Sequence, residues 1–139
     1  MIPVVGDVLF DGEFVFRDGQ TGKKWFIILA DIGDDTDNIY VARTTTKEKS
    51  PKVEACYTDD FEPVYFLEAG NTFRADTWVQ FDQVLMFDFS RAERLKKESH
   101  QKKQLSMQTM YKILSCAAQS IHIDGYTEET LLKQAKIFK

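Results

Sequence analysis

With 139 residues, 43 % of them hydrophobic and 13 % aromatic, the chain is sized for one domain and has enough apolar side chains for a core, which excludes wholesale disorder. Its 18 Lys and Arg against 22 Asp and Glu leave a net charge of −4, so composition does not mark a general nucleic-acid binder. No stretch approaches the roughly 18–20 apolar residues of a membrane helix, and residues 1–7 lack the basic segment and apolar run of a secretion signal, so a cytoplasmic location is expected.

The front half reads as β-structure. Residues 8–10, 13–16, 25–29 and 39–42 are short runs rich in β-branched and aromatic side chains. Between them stand Asp11-Gly12, Asp18-Gly19-Gln20-Thr21-Gly22 and the polar run 31–38. These are turn compositions, since Gly and Asn tolerate positive φ and Asp bonds its own backbone. Residues 64–67 and 77–81 flank Glu68-Ala69-Gly70-Asn71, and 84–87 add another strand candidate. Short strands at this spacing predict a small antiparallel barrel or sandwich, in which closure removes exposed edges. The rear half reads as helix. Ser90-Arg91-Ala92-Glu93 fits a capping box. Met107, Met110, Tyr111, Leu114, Ala117, Ala118 and Ile121 recur at helical spacing, Gly125-Tyr126 interrupts them, and Thr127 is expected to cap a last helix. The expected architecture is a β-barrel over residues 1–90 with a helical extension over 91–139 packed on it, one domain overall.

Charge is unevenly spread. Residues 1–90 hold 8 Lys/Arg against 17 Asp/Glu, and residues 91–103 hold 6 against 2. The basic segment reads as an exposed helix face with internal Glu partners, or else as a passive nucleic-acid contact. GxSxG, Walker A, HExxH and CxxC motifs are absent. Cys56 and Cys116 fit no metal-ligand spacing and read as reduced thiols. His100 reads as solvated and His122 as partly buried at a helix end. One polar cluster carries chemistry. Lys23 and Lys24 precede the apolar run 25–29, while Arg43, Thr44, Thr45, Thr46 and Lys47 follow the apolar run 39–42. If these runs pair as antiparallel neighbours, cations and hydroxyls converge at one end of the barrel. Such a cluster suits a phosphate and its oxyanion transition state; the other reading is ordinary polar strand ends.

Three stretches resemble the MazF/PemK growth-inhibitor toxins of bacterial toxin–antitoxin systems. Gly6-Asp7-Val8-Leu9-Phe10, continuing through Phe16 and Asp18-Gly19 to Gly22-Lys23-Lys24-Trp25-Phe26-Ile27-Ile28-Leu29, is similar to the family's opening strand, recognition loop and second strand. Ile39-Tyr40-Val41-Ala42-Arg43-Thr44 is similar to the next strand, which ends in the family's catalytic hydroxyl residue. Phe73-Arg74-Ala75-Asp76-Thr77-Trp78-Val79-Gln80-Phe81-Asp82-Gln83-Val84, running to Phe87-Asp88, is similar to the strand that leads into a helix. The likeness implies a mainly β fold with α, a small SH3-like antiparallel β-barrel of MazF/CcdB type with C-terminal helices.

The resemblance also implies a metal-independent, cofactor-free endoribonuclease acting on single-stranded RNA. In that chemistry the ribose 2′-hydroxyl attacks its own 3′-phosphate, leaving a cyclic phosphate and a 5′-hydroxyl. The family's arginine at the start of the second strand falls on Lys24, and its threonine or serine falls on Thr44. Lys24 would then neutralise phosphate charge and move a proton, and Thr44 would hold the phosphate. Phe16, Arg17, Gln20, Lys23, Trp25, Arg43, Thr45, Thr46 and Lys47 would contact RNA, with Phe16 and Trp25 stacking on bases. The family's Arg-Pro pair is Lys24-Trp25 here, and lysine lacks the bidentate fork of arginine; Arg17, Arg43 and Arg74 are the cations available to compensate. A homodimer with the RNA groove across both subunits, and an antitoxin or other protein partner, complete this reading. The alternative is a non-catalytic barrel of the same fold serving as an interaction module, the apolar face of helix 107–121 docking a partner helix.

Overall fold

In the computed structural model, which describes residues 2–31, 37–58, 62–70, 72–99 and 103–139, the apolar runs of the front half lie at the centre of one sheet. Strands β1 (Val8–Val15), β2 (Thr21–Asp31), β3 (Asn38–Thr45), β4 (Cys56–Tyr57), β5 (Val64–Leu67) and β6 (Thr77–Asp88) pair antiparallel in the order β1-β2-β3-β6-β5-β4. Three helices follow, α1 (Phe89–Glu98), α2 (Met107–Ala117) and α3 (Gly125–Phe138), so the chain is mainly β with α. The sheet is open, with β1 and β4 as its edges, where the sequence predicts a closed barrel. The central strands supply the reason. Phe26 to Ala30 and Ile39 to Ala42 are buried at every position, and a strand apolar on both faces needs cover on both. On one face α1 contributes Ala92 and Leu95 to a core with Leu9, Phe26, Ile28, Val41 and Phe87. On the other, α2 and α3 pack over Val8, Ile27, Tyr40, Ala42, Tyr65 and Phe81.

Several predicted elements merge or shift. Runs 8–10 and 13–16 form one strand whose register slips between Asp11 and Phe14, where the Asp11 carboxylate accepts the Glu13 amide at 2.9 Å. Runs 77–81 and 84–87 also form one strand. Ala42 faces Val84 and Arg43 faces Gln80, so Phe81, Asp82 and Gln83 bulge out of the ladder. The predicted Ser90 capping box is not used. Asp88 caps α1, accepting the Arg91 amide at 2.7 Å, because the chain is already helical at Ser90. Likewise Asp124 caps α3, its carboxyl held below the usual range by the Thr127 amide, and the Thr127 hydroxyl is buried against the Tyr40 hydroxyl at 3.0 Å. The expected helix 107–121 ends at Ala117, and Ile121 is exposed. His122 lies in the turn after α2, 40 % exposed and 3.6 Å from Glu62, where partial burial was expected. His100, Asn71, residues 32–36 of the polar run and residues 100–102 of the basic segment lie outside the described residues.

To cover both faces, the chain passes around the β1 edge between α1 and α2. Lys103 accepts the Val8 amide at 3.0 Å and Leu105 donates to the Gly6 carbonyl at 2.9 Å. Gly6 has φ +94°, and a β-carbon there would meet the Leu105 carbonyl at 3.2 Å, so glycine fits both the turn and the approach. Several basic residues of the 91–103 segment serve this packing: Lys96 pairs with Asp7 at 2.8 Å and Arg91 with Asp11 at 3.1 Å, its guanidinium 4.0 Å from the Phe87 ring centroid. No helix among the described residues is long and apolar enough to cross a membrane.

The cysteines correct the expectation of reduced thiols. Cys56 and Cys116 form a disulfide, Cα atoms 5.6 Å apart, because β4 runs beside α2; a separation of 60 residues conceals that proximity. In the chain-entropy account, closing a loop of this length stabilises the fold by about 4 kcal/mol. The oxidised protein, denatured without reductant, is expected to show no free thiol by thiol titration, and reduction is expected to lower its unfolding free energy by several kcal/mol. Two titratable thiols in the untreated chain would refute the bond.

Candidate functional site

β2 changes character midway. Thr21 to Trp25 are exposed or half-buried, and burial begins at Phe26. β3 runs the other way, and its pairing of Phe26 with Arg43 and Ile27 with Ala42 sets Arg43, Thr44 and Thr45 beside the polar start of β2. A cleft of about 550 Å³ opens there. Its aromatic wall is Phe10, Trp25 and Phe73: the Phe10 and Trp25 ring centroids are 4.7 Å apart, and Phe73 meets Trp25 edge-on at 6.3 Å. Trp25 is 36 % exposed and presents a ring to solvent. Lys23, Lys24 and Arg74 line the same cleft with Thr44, Thr45, Thr46 and Thr72.

Strand alternation divides this cluster. Trp25 and Thr44 share the face of Ile27 and Ala42, whereas Lys24 shares the face of Phe26 and Arg43. Lys24 therefore reaches the cleft around the strand ends, and the register continued outward sets Thr45 opposite it. Thr44 is 4 % exposed and its hydroxyl donates to the Trp25 carbonyl at 3.0 Å. That spends its one proton and leaves lone pairs facing any ligand until the hydroxyl rotates. The Thr45 hydroxyl accepts the Lys47 amide at 3.1 Å. Burial, and next the positive charge of Arg43, lower the Lys24 pKa below its ordinary value, with Asp82 opposing and Lys49 adding to the drop.

Arg43 is paired with Asp82. Its Nη2 donates to both carboxylate oxygens, at 3.0 and 2.9 Å, while its Nε is buried with no hydrogen-bond partner among the described residues. Asp82 and Lys49 line a second cavity of about 250 Å³ with Glu62 and Gln80.

The hairpin residues lie apart. Phe16 packs over Gly22, where a β-carbon would come within 2.8 Å of its ring, and meets Phe14 edge-on. Arg17 and Gln20 are exposed in the turn, and neither they nor Phe16 lines the cleft; Lys47 is exposed and outside it too. Phe10, Phe73 and Thr72 join the cleft, and Lys49 and Asp82 line the second cavity, without having been singled out as site residues. Two signals were present: Phe73-Arg74 opens a stretch that carries the family likeness, and Phe10 is opposite Trp25 once the first strands pair. No three His, Cys, Asp or Glu side chains among the described residues are grouped to hold a metal ion. No protein-family model matches this chain, and no curated protein matches it.

The Lys24 environment has a consequence for stability. The folded chain binds this proton more weakly than the unfolded chain, whose lysine titrates near 10.5. The unfolded state thus holds more protons between the two values, and stability rises with pH across that window. In urea unfolding at about pH 8 and about pH 10.5, the parent is expected to gain stability relative to Lys24→Met at the higher pH. A constant difference would mean that Lys24 is solvated like free lysine.

Proposed function

We propose that the protein is a metal-independent endoribonuclease of the MazF/PemK type, cutting single-stranded RNA in the cleft where β2 begins and β3 ends. The observation that supports it is the aromatic wall of Phe10, Trp25 and Phe73 set beside Lys23, Lys24, Arg74 and three consecutive threonines. Unpaired bases stack on ring faces whatever their identity, and cations follow the backbone phosphates. In this reading Trp25 takes a base and the adjoining phosphate lies against Lys24. The ribose 2′-oxygen attacks phosphorus, the 5′-oxygen leaves, and the products are a cyclic phosphate and a 5′-hydroxyl end. Charge developing on the non-bridging oxygens is met by the Lys24 ammonium and the threonine hydroxyls. The weakened hold of Lys24 on its proton suits its neutral amine to take the 2′-hydroxyl proton, and the ammonium so formed meets the developing charge and returns the proton to the leaving 5′-oxygen. The proposal carries with it an SH3-like arrangement of the strands, a homodimer that shares the RNA groove, and an antitoxin partner. It also places the protein in the cytoplasm, where the Cys56–Cys116 bond is open to reduction.

The engaged Thr44 hydroxyl favours a second reading, a non-catalytic interaction module of the same fold. A mixed single-stranded RNA pool incubated with the protein in EDTA separates the two. Cleavage leaving 5′-hydroxyl ends is expected, falling by about a hundredfold or more in Lys24→Ala and Thr44→Ala with unchanged circular dichroism. Lys24→Arg, which keeps the charge but not the titration, is expected to retain RNA binding and lose the rising limb of the pH–rate profile. RNA left intact by a well-folded parent would overturn the nuclease reading in favour of the module.

A further inference from the structure

Arg43 meets its carboxylate with half of its fork. One nitrogen makes both contacts to Asp82, and the buried Nε has no acceptor among the described residues. A side-on arginine pair uses two nitrogens in parallel, so a strong donor here is unused. Asp82 stands on the bulge at 81–83, outside the ladder with β3, and bulges re-aim the side chains they carry. Lys24 lies on the same face, two residues before the Phe26 that pairs with Arg43, and Lys49 shares the second cavity with Asp82. Arg43 thus contacts the carboxylate, Lys49 lines the same cavity, and Lys24 is near enough to feel the charges of all three. The pair is open to solvent, its side chains 22 % and 34 % exposed.

We infer that Lys24, Arg43 and Lys49 form a binding site for a phosphate group, and that Asp82 occupies it as a built-in competitor which an incoming phosphate displaces. A phosphate offers more acceptor oxygens than a carboxylate and, as a monoester or free ion, more charge, which suits three cations and an unused guanidinium donor. Leaving the ladder at the bulge allows Asp82 to turn outward without breaking a strand pair. The inference rests on the proposed RNA reading only for the source of the phosphate. On that reading, Arg43 is the guanidinium that Lys24-Trp25 does not provide, and Asp82 sets how readily substrate enters.

Amide chemical-shift titration tests it, with inorganic phosphate in one arm and a short single-stranded oligoribonucleotide in the other. Asp82→Asn is expected to tighten phosphate binding by about three- to tenfold, and Arg43→Gln to weaken it by a similar factor. Should Arg43→Gln not fold, Lys49→Gln, at an exposed position, carries the same expectation. Glu48→Gln makes the same change of charge next to Lys49 in the chain but outside both cavities, and is expected to leave affinity within about twofold. Equal gains in Asp82→Asn and Glu48→Gln would overturn the competitor role, since the effect would then be general charge. Absence of phosphate-dependent shifts in both parent and Asp82→Asn would overturn the site. Phosphate binding that follows this pattern, with the oligoribonucleotide neither bound nor cut, would uphold the site and remove RNA as its source.

Discussion

Phe26 to Ala30 of β2 and Ile39 to Ala42 of β3 are packed from above and below, and the other features answer to that double burial. Each large aliphatic or aromatic side chain so enclosed is worth about 1.5–3 kcal/mol. One helix cannot cover both faces, so the chain lays α1 on one side, rounds the β1 edge past Gly6, and lays α2 and α3 on the other. The Lys96–Asp7 pair and the Lys103 and Leu105 backbone bonds hold that crossing against the edge strand. Polar residues of the central strands are left only at their ends. Lys23, Lys24 and the threonines of β3 gather there because the middle of the sheet has no place for them.

A few polar contacts then tie the sheet to the segments around it. The Ser120 hydroxyl donates to the Phe81 carbonyl at 2.7 Å, anchoring the bulge that carries Asp82 to the turn after α2. Thr127 and Tyr40 join α3 to β3 through paired hydroxyls. On the far side of β6, the Trp78 indole donates to the Ser50 hydroxyl at 2.7 Å and Lys52 pairs with Asp76, holding the segment that follows the three threonines. The Tyr65 hydroxyl donates to Glu54, and burial together with that carboxylate raises its pKa. Helix packing and the placing of the Arg43–Asp82 pair are therefore coupled through the backbone of β6.

The sequence was legible where local composition decides the outcome. Strand runs, the amphipathic stretch from Met107 and the convergence of polar ends at β2 and β3 follow from residue type and spacing. What was hidden depended on partners distant in the chain. Continuous apolar runs at 25–29 and 39–42 fit a barrel wall or a sheet covered twice, and only the helices choose between them. The pairing of Cys56 with Cys116 and the burial of Arg43 against Asp82 arise from a two-residue strand and a bulge, neither of which leaves a periodic trace. Helix starts were missed by one element of chemistry: Asp88 and Asp124 outcompete Ser90 and Thr127 as caps because their carboxylates precede the first turn.

The Cys56–Cys116 bond also partitions the chain topologically. It encloses β5, β6, α1 and α2 as far as Cys116 in a covalent ring closed between residues 60 apart, leaving β1 to β3 and α3 as two open tails. Both tails are fastened to the ring, β3 along β6 and α3 along α2. Tension applied at the two termini would peel the tails away but bypass the ring, withholding roughly 200 Å of contour length. The strand that carries Asp82 thus sits in the part of the molecule that a pulling force at the ends cannot straighten.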